Sequence, residues 1–234
     1  MQFSSPLCRG RLVRRYKRFL ADVIHQDNPL TLHCPNTGRM TGCAGPDWPV
    51  YFSTSDNPKR KYAHTWELTE NPEGQLICVN TTRANQLVAE ALAQGWIPEL
   101  AGYPRVRAEV RYGDEGSRID FLLSGGERPD CYVEVKSVTL LEQDGRGYFP
   151  DTLSERAQKH VRELMACART GQRAVMLFCV LHTGIDRVSP ARHLDPAYGR
   201  LIDEALSAGV ECLAWGADIG PEGMRLARAL PFTP

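Results

Sequence analysis

Three charged side chains sit where buried strands should carry none. Asp120 lies within Ile119-Asp120-Phe121-Leu122-Leu123, and Glu134 and Lys136 lie within Cys131-Tyr132-Val133-Glu134-Val135-Lys136. Side chains alternate across a sheet, so Glu134 and Lys136 share one face while Cys131, Val133 and Val135 share the other. Asp120 joins the first pair if the two strands run side by side. Two carboxylates and an ammonium on one patch suit a divalent cation held against a phosphate. Asp120, Glu134 and the Val135 carbonyl would be the ligands and Mg2+ or Mn2+ the ion. Lys136 would orient or deprotonate a water, or neutralise charge developing on the phosphoryl group. A lone Glu-x-Lys is a weak signal, because the same tripeptide on a solvated sheet face is an ordinary ion pair. The neighbouring elements decide between the two.

Asn80-Thr81 predicts a helix start, and Ala84, Leu87, Val88, Ala91 and Leu92 form an apolar stripe that ends at Gly95. Residues 105–112 alternate Val106, Ala108 and Val110 with Arg107, Glu109 and Arg111, the pattern of a half-exposed strand. The two chemistry-bearing strands follow, joined by the short loop 124–130. Next comes a glycine-containing loop, 142–151, in a position to swing over a site. Ser154 opens a second helix with Ala157, Val161, Leu164 and Met165 inward; residues 174–181 read as a strand buried on both faces. Asp195-Pro196 starts a third helix that stops at Gly209, and residues 210–215 form a further strand. The order αβββαβ is the core of the restriction-endonuclease-like fold, whose second and third strands carry an Asp and a Glu/Asp-x-Lys. Asp120, Glu134 and Lys136 fall at those places, so the reading rests on fold and site together. Glu90 on the first helix, or Glu109, is a candidate for a further carboxylate. Gln158, on the polar side of the second helix, is a candidate to reach a phosphate or the lysine.

The first eighty residues have a different texture. Short strands at 19–24, 30–34, 50–54, 62–68 and 75–79, separated by Asn-Pro and Gly turns, predict a small barrel of OB type. The fold class expected is therefore mixed α/β: an OB-type barrel over residues 1–80 and a restriction-endonuclease-like domain over 81–234. Two basic clusters mark the barrel, Arg14, Arg15, Lys17 and Arg18 with their neighbours, and Lys59, Arg60 and Lys61. With Tyr62, His64 and Trp66 alternating beside the second cluster, these residues suit a nucleic-acid surface of cations and stacking rings. A solvated first strand and a core aromatic stripe are the competing explanations.

The 28 Lys and Arg balance 28 Asp and Glu, so overall charge predicts no polyanion partner. The eight cysteines lack C-x-x-C spacing and several lie in apolar runs, as reduced packing residues do; a zinc site at His33, Cys34 and Cys43 has no second ligand pair of the usual spacing. No apolar run is long enough to span a bilayer and no signal-peptide order opens the chain, so a cytoplasmic location and no membrane partner are expected.

The words Tyr16-Lys17-Arg18-Phe19, His33-Cys34-Pro35-Asn36-Thr37-Gly38, Tyr62-Ala63-His64-Thr65-Trp66-Glu67, Ser117-Arg118-Ile119-Asp120-Phe121, Tyr132 to Leu140 and Ser189-Pro190-Ala191-Arg192-His193 span nearly the whole chain. In them the sequence resembles the sugar fermentation stimulation protein A family. That resemblance implies a bacterial protein that binds double-stranded DNA with little sequence preference and is connected with regulation of sugar, especially maltose, metabolism. Three readings stay open: a DNA-binding protein carrying a phosphodiester site, an active Mg2+-dependent nuclease on DNA or RNA, and a metabolite-sensing or scaffold protein with a degenerate site.

Overall fold

The computed structural model describes residues 1–113 and 116–234. Strands β1 (Cys8–Tyr16), β2 (Leu20–His25), β3 (Asn28–His33), β4 (Pro49–Thr54) and β5 (His64–Glu70) run in the order β3-β2-β1-β4-β5. A parallel bridge between His33 and Thr65 joins the two ends and closes a five-stranded, OB-like barrel. The ring begins one strand earlier than expected from Phe19. The arginine-rich stretch 8–16 is itself a wall, because alternation buries Leu12 while Arg9 and Arg11 point out, and a bulge between Leu12 and Arg14 turns Arg14 out as well. Leu12, Val23, Leu32, Val50, Phe52 and Trp66 fill the interior. Trp66 is 0% exposed and its indole nitrogen donates to the Leu68 carbonyl at 3.0 Å, so this ring is core rather than a stacking platform. His64 likewise packs edge-on against Phe52 at 5.4 Å.

Strand β6 (Leu76–Cys78), expected as the fifth strand of the barrel, pairs with β5 and then turns to the second half of the chain. Ile77 bridges His182, the Cys78 amide donates to the Leu181 carbonyl at 2.9 Å, and the Thr183 amide donates to Leu76 at 3.0 Å. Beside this seam Glu67 of β5 is buried and fully satisfied. It accepts from Ser53, from Asn80, and from Arg83 through two nitrogens at 2.6 and 2.9 Å.

Helix α1 (Thr82–Gln94) follows. Its first turn is capped by Asn80, whose Oδ1 accepts from the Thr82 amide and hydroxyl, and Gly95 ends it in the left-handed conformation (φ 67°) that only glycine adopts without cost. Leu87 and Val88 are fully buried against the sheet, each burial contributing about 1.5–3 kcal/mol. The sheet comprises β7 (Arg105–Tyr112), β8 (Ser117–Ser124), β9 (Cys131–Val138), β12 (Arg173–Val180), β14 (Glu211–Ile219) and β15 (Met224–Leu230), in the order β15-β14-β12-β9-β8-β7. β12 is central and parallel to both β9 and β14, which explains its unbroken apolar run. α1 and the barrel residues Leu68 and Cys78 share a core on one face. On the other lie α2 (Glu155–Arg169), N-capped by Ser154, and α3 (Pro196–Ser207), N-capped by Asp195. Residues 140–149 are not a free loop. β10 (Leu140–Leu141) and β11 (Arg146–Phe149) form a small sheet with β13 (Arg187–Pro190), and the parallel ladder from Arg146–Arg187 to Phe149–Pro190 anchors the segment. Among the described residues no helix is long and apolar enough to cross a membrane.

Candidate metal and phosphate site

β8 and β9 pair only over Phe121–Val133, Leu122–Tyr132 and Leu123–Cys131. Beyond Phe121 the strands part, and Asp120 sits in the fork. Its Oδ2 accepts from the Val135 amide at 2.7 Å, taking the place a strand carbonyl would have held, and its Oδ1 accepts from Asn85 of α1 at 2.7 Å. One carboxylate thus ends the ladder and ties helix to sheet. The alternation of β9 then brings Glu134 and Lys136 to the α2 side of the same fork.

Glu134 is 3% and Lys136 9% exposed. Lys136 Nζ donates to Glu134 Oε1 at 2.7 Å and lies 3.0 Å from His160 Nδ1 of α2, while His160 Nδ1 also contacts Glu134 Oε1. A carboxylate only accepts, so both nitrogens donate to it, and Lys136 and His160 converge on the one oxygen, Glu134 Oε1. Burial presses the Glu134 carboxyl upward, but the His160 hydrogen bond and the Lys136 charge outweigh it and hold it below the ordinary carboxylate range. Asp120 moves the other way. Burial first, and then the Glu134 charge, raise it, against the lowering bonds from the Val135 amide and Asn85. Two acids a strand apart are thus shifted in opposite directions by their surroundings.

The cleft over the carboxylates has a volume of about 430 Å³ and a cationic wall of Arg118, Arg156 and Lys159. Negative groups inside and positive groups around them suit an anionic ligand bridged by a cation. Family models match the two halves of the chain: the N-terminal OB domain of SfsA over residues 13–79, and the sugar fermentation stimulation protein RE domain over residues 82–223. The chain belongs to the sugar fermentation stimulation protein family. It is also similar to a solved structure, that of SfsA from Pyrococcus furiosus in complex with Ca2+. The two are 28% identical with a TM-score of 0.90, over 100% of this chain and 98% of that one.

A dication suits the residues present in this family member. Glu134 Oε2 is buried with no partner among the described residues, and Asp120 is raised by burial and by the Glu134 charge beside it. Among the described residues no group of three or more His, Cys, Asp or Glu is gathered for a metal; the fork presents two carboxylates, Asp120 and Glu134. Oxygen donors of this kind suit a hard dication rather than Zn2+. The cysteines named for zinc are core thiols: Cys34 contacts Met40 and the Asn36 carbonyl, and burial pushes Cys43 up to about 11.

The other expected residues lie as follows. Gln158 faces away from Lys136, its amide donating to both Asp195 oxygens at 2.9 and 3.0 Å, so it supports the α3 cap. Glu90 pairs with the Met1 ammonium at 2.6 Å, remote from the fork. Glu109 lines the cleft, in a left-handed conformation (φ 55°) within β7, where the ladder to β8 skips it. Arg14 pairs with Asp22 at 2.9 Å and stacks over Tyr16. Arg15 is a brace, donating to the carbonyls of Arg18, Asn36 and Gly38 at 2.7, 2.9 and 2.8 Å. Lys17 and Arg18 form the β1–β2 turn, Lys59, Arg60 and Lys61 the β4–β5 loop, with Arg60 bonded to Thr65. His160 and Asn85 were not anticipated. A histidine one turn from Ala157 and Leu164 on an apolar stripe was the available signal for the first; Asn85, beside its stripe, carried none.

Proposed function

We propose that the protein binds DNA, double- or single-stranded, through the β1–β2 and β4–β5 loops of the barrel, and cleaves a phosphodiester at the Asp120–Glu134–Lys136 fork with Mg2+ or Mn2+. The observation that carries the reading is the fork itself. Asp120 is fixed on the Val135 amide beside Glu134, which has one unpartnered buried oxygen, with Lys136 and His160 within bonding distance of the other. A bound dication supplies charge neutralisation for the phosphate and for an in-line displacement. The residues would do the rest: Asp120 and Glu134 would hold the ion, Lys136 would face charge developing on the phosphate, and His160 Nδ1 would orient Glu134 by donating to it. The solved relative with Ca2+ supports cation binding.

Two observations support the barrel's part. These loops are the ones with which OB barrels hold oligonucleotides. In addition, Lys17 and Arg18 both have φ near +50 to +65°, a conformation costing about 1–2 kcal/mol per L-residue that Gly or Asn would relieve. Long cations kept at such a turn are there for what they reach. The backbone contacts they would make carry little sequence information. All eight cysteines are free, which accords with a reducing, cytoplasmic setting. A second reading is binding without cleavage, serving regulation of sugar metabolism; it is favoured by the mutual engagement of Lys136, Glu134 and His160. Labelled duplex, single-stranded DNA and RNA incubated with Mg2+, Mn2+ or chelator test the choice. Metal-dependent cleavage absent from Glu134→Ala is expected; cleavage equal to that variant's leaves binding alone.

A further inference from the structure

A second opening lies on the far side of Lys136. A cavity of about 280 Å³ is enclosed between the barrel loop 36–38, the first turn of α1, the end of β9 and strand β11. Tyr148, whose ring packs edge-on against His193 at 5.2 Å, stands in its wall; Asn36, Asn85, Ser137 and Asp151 offer donors and acceptors; Lys136 borders both this cavity and the Glu134–His160 cluster. Ser137 Oγ is buried with no partner among the described residues. The barrel side of this cavity is held rigidly. Arg15 clamps the Asn36 and Gly38 carbonyls, Asn36 Oδ1 accepts from the Gly38 amide, and the Met40 amide reaches across to Asp151.

The same barrel end presents the cationic loops. Leu20 pairs with His33, and His33 bridges Thr65, so the β1–β2 turn, the chain after β3 and the β4–β5 loop emerge together. Phe19 stands there 42% exposed. A cationic, aromatic rim thus leads through the 36–38 loop to a polar cavity with a ring in its wall, and from there to Lys136. The volume falls just below the roughly 300–1,000 Å³ usual for ligand pockets and suits one planar group. A base stacked in a duplex enters such a pocket only after unstacking, whereas an unpaired base enters without that cost. Stacking on a tyrosine is tolerant of base identity, in keeping with weak sequence preference.

We propose that this cavity receives one unpaired nucleobase, and that the strand delivered to the Asp120–Glu134–Lys136 fork is single-stranded DNA or a frayed end, its backbone continuing over the barrel loops. The inference rests on the nucleic-acid reading above, and its test is independent of cleavage. Binding of short fluorescent oligothymidine and of a blunt duplex of equal length is measured by anisotropy in chelator. The single strand is expected to bind about tenfold tighter. Ser137→Leu, which fills the cavity, and Tyr148→Ala, which removes its ring, should each lose about tenfold on the single strand and under twofold on the duplex. Thermal melting verifies that both variants are folded. An oligonucleotide carrying 2-aminopurine should change its emission on binding, and Tyr148→Ala should abolish the change. Equal affinity for the two forms, or equal losses on both in the two variants, would overturn the proposal. Chelator is present throughout, so a failure of the cleavage reading leaves the single-strand preference standing; no binding to either form at low salt would end both.

Discussion

The barrel end and the sheet fork both gather charge, but in opposite circumstances. At the barrel, cations stand in water on a turn and a loop, or are paired on the surface, as Arg14 is with Asp22. At the fork Lys136, Glu134 and His160 are buried and satisfy one another, with Asp120 held by an amide and an asparagine. Exposed charges act at long range and are screened by salt. Buried ones act over a bond length, and their protonation is set by their neighbours. On the function proposed above, attraction and chemistry would be separated between the two halves of the chain, with Arg15 and the 36–38 loop between them.

The sharpest way to break the contrast is Glu134→Ala. Divalent-dependent cleavage should fall at least about a hundredfold, and loss of the carboxylate paired with Lys136 should cost about 3–5 kcal/mol of stability, read by denaturant titration. Affinity for duplex at the barrel should stay unchanged. The seam between the halves supplies the next effect. Burial pulls His182 from 6.5 to about 4, while its Nδ1 accepts from the Gly184 amide. Above 6.5 the ring is neutral folded or unfolded and nothing is lost. As pH falls from 6.5 to 4 only the unfolded chain takes the proton, so about 3 kcal/mol of stability should disappear across that window. Asp120, raised, offsets part of this because the folded state takes its proton first; the difference curve between wild type and His182→Gln isolates the histidine.

Smaller effects distinguish cations that brace from cations that reach. Arg15→Ala should lower stability by about 2 kcal/mol through three lost carbonyl bonds. Lys17→Gly with Arg18→Gly should instead raise it by about 1 kcal/mol, while flattening the salt dependence of DNA binding by a slope of about 2. A raised melting temperature with unaltered salt slope would show that these side chains reach no phosphate. Gln158→Ala should cost about 1 kcal/mol at the α3 cap and leave cleavage within a few-fold, where a residue reaching the phosphate or Lys136 would lose far more.

Local rules made much of this legible. Period-two alternation placed Asp120, Glu134 and Lys136, since a charge in an apolar strand must either find partners or face solvent. Ser154, Asp195 and Gly95 terminate helices through bonds and conformations confined to a few residues. What depended on distant chain was not legible. His160 meets Glu134 from 26 residues away, and Gln158 turns toward Asp195 rather than Lys136 because a capping carboxylate from another helix stands there. β11 is a strand because β13, itself too short to have a pattern, lies alongside. Trp66, in a period-two stripe that was compatible with surface or core, was decided by the closing of a ring whose first strand read as a solvated basic strand outside the barrel.

The seam at β6 bears on how separable the two modules are. Each matches its own family model, yet a backbone ladder, the Glu67–Arg83 clasp and the shared packing of Leu68 and Cys78 run across the join. A chain divided there would leave a raw strand edge and an orphaned buried carboxylate on one piece and a bare apolar face on the other. The barrel is therefore not an interchangeable adaptor; heredity can tune its loops but cannot trade it for another without rebuilding the wall on which it leans.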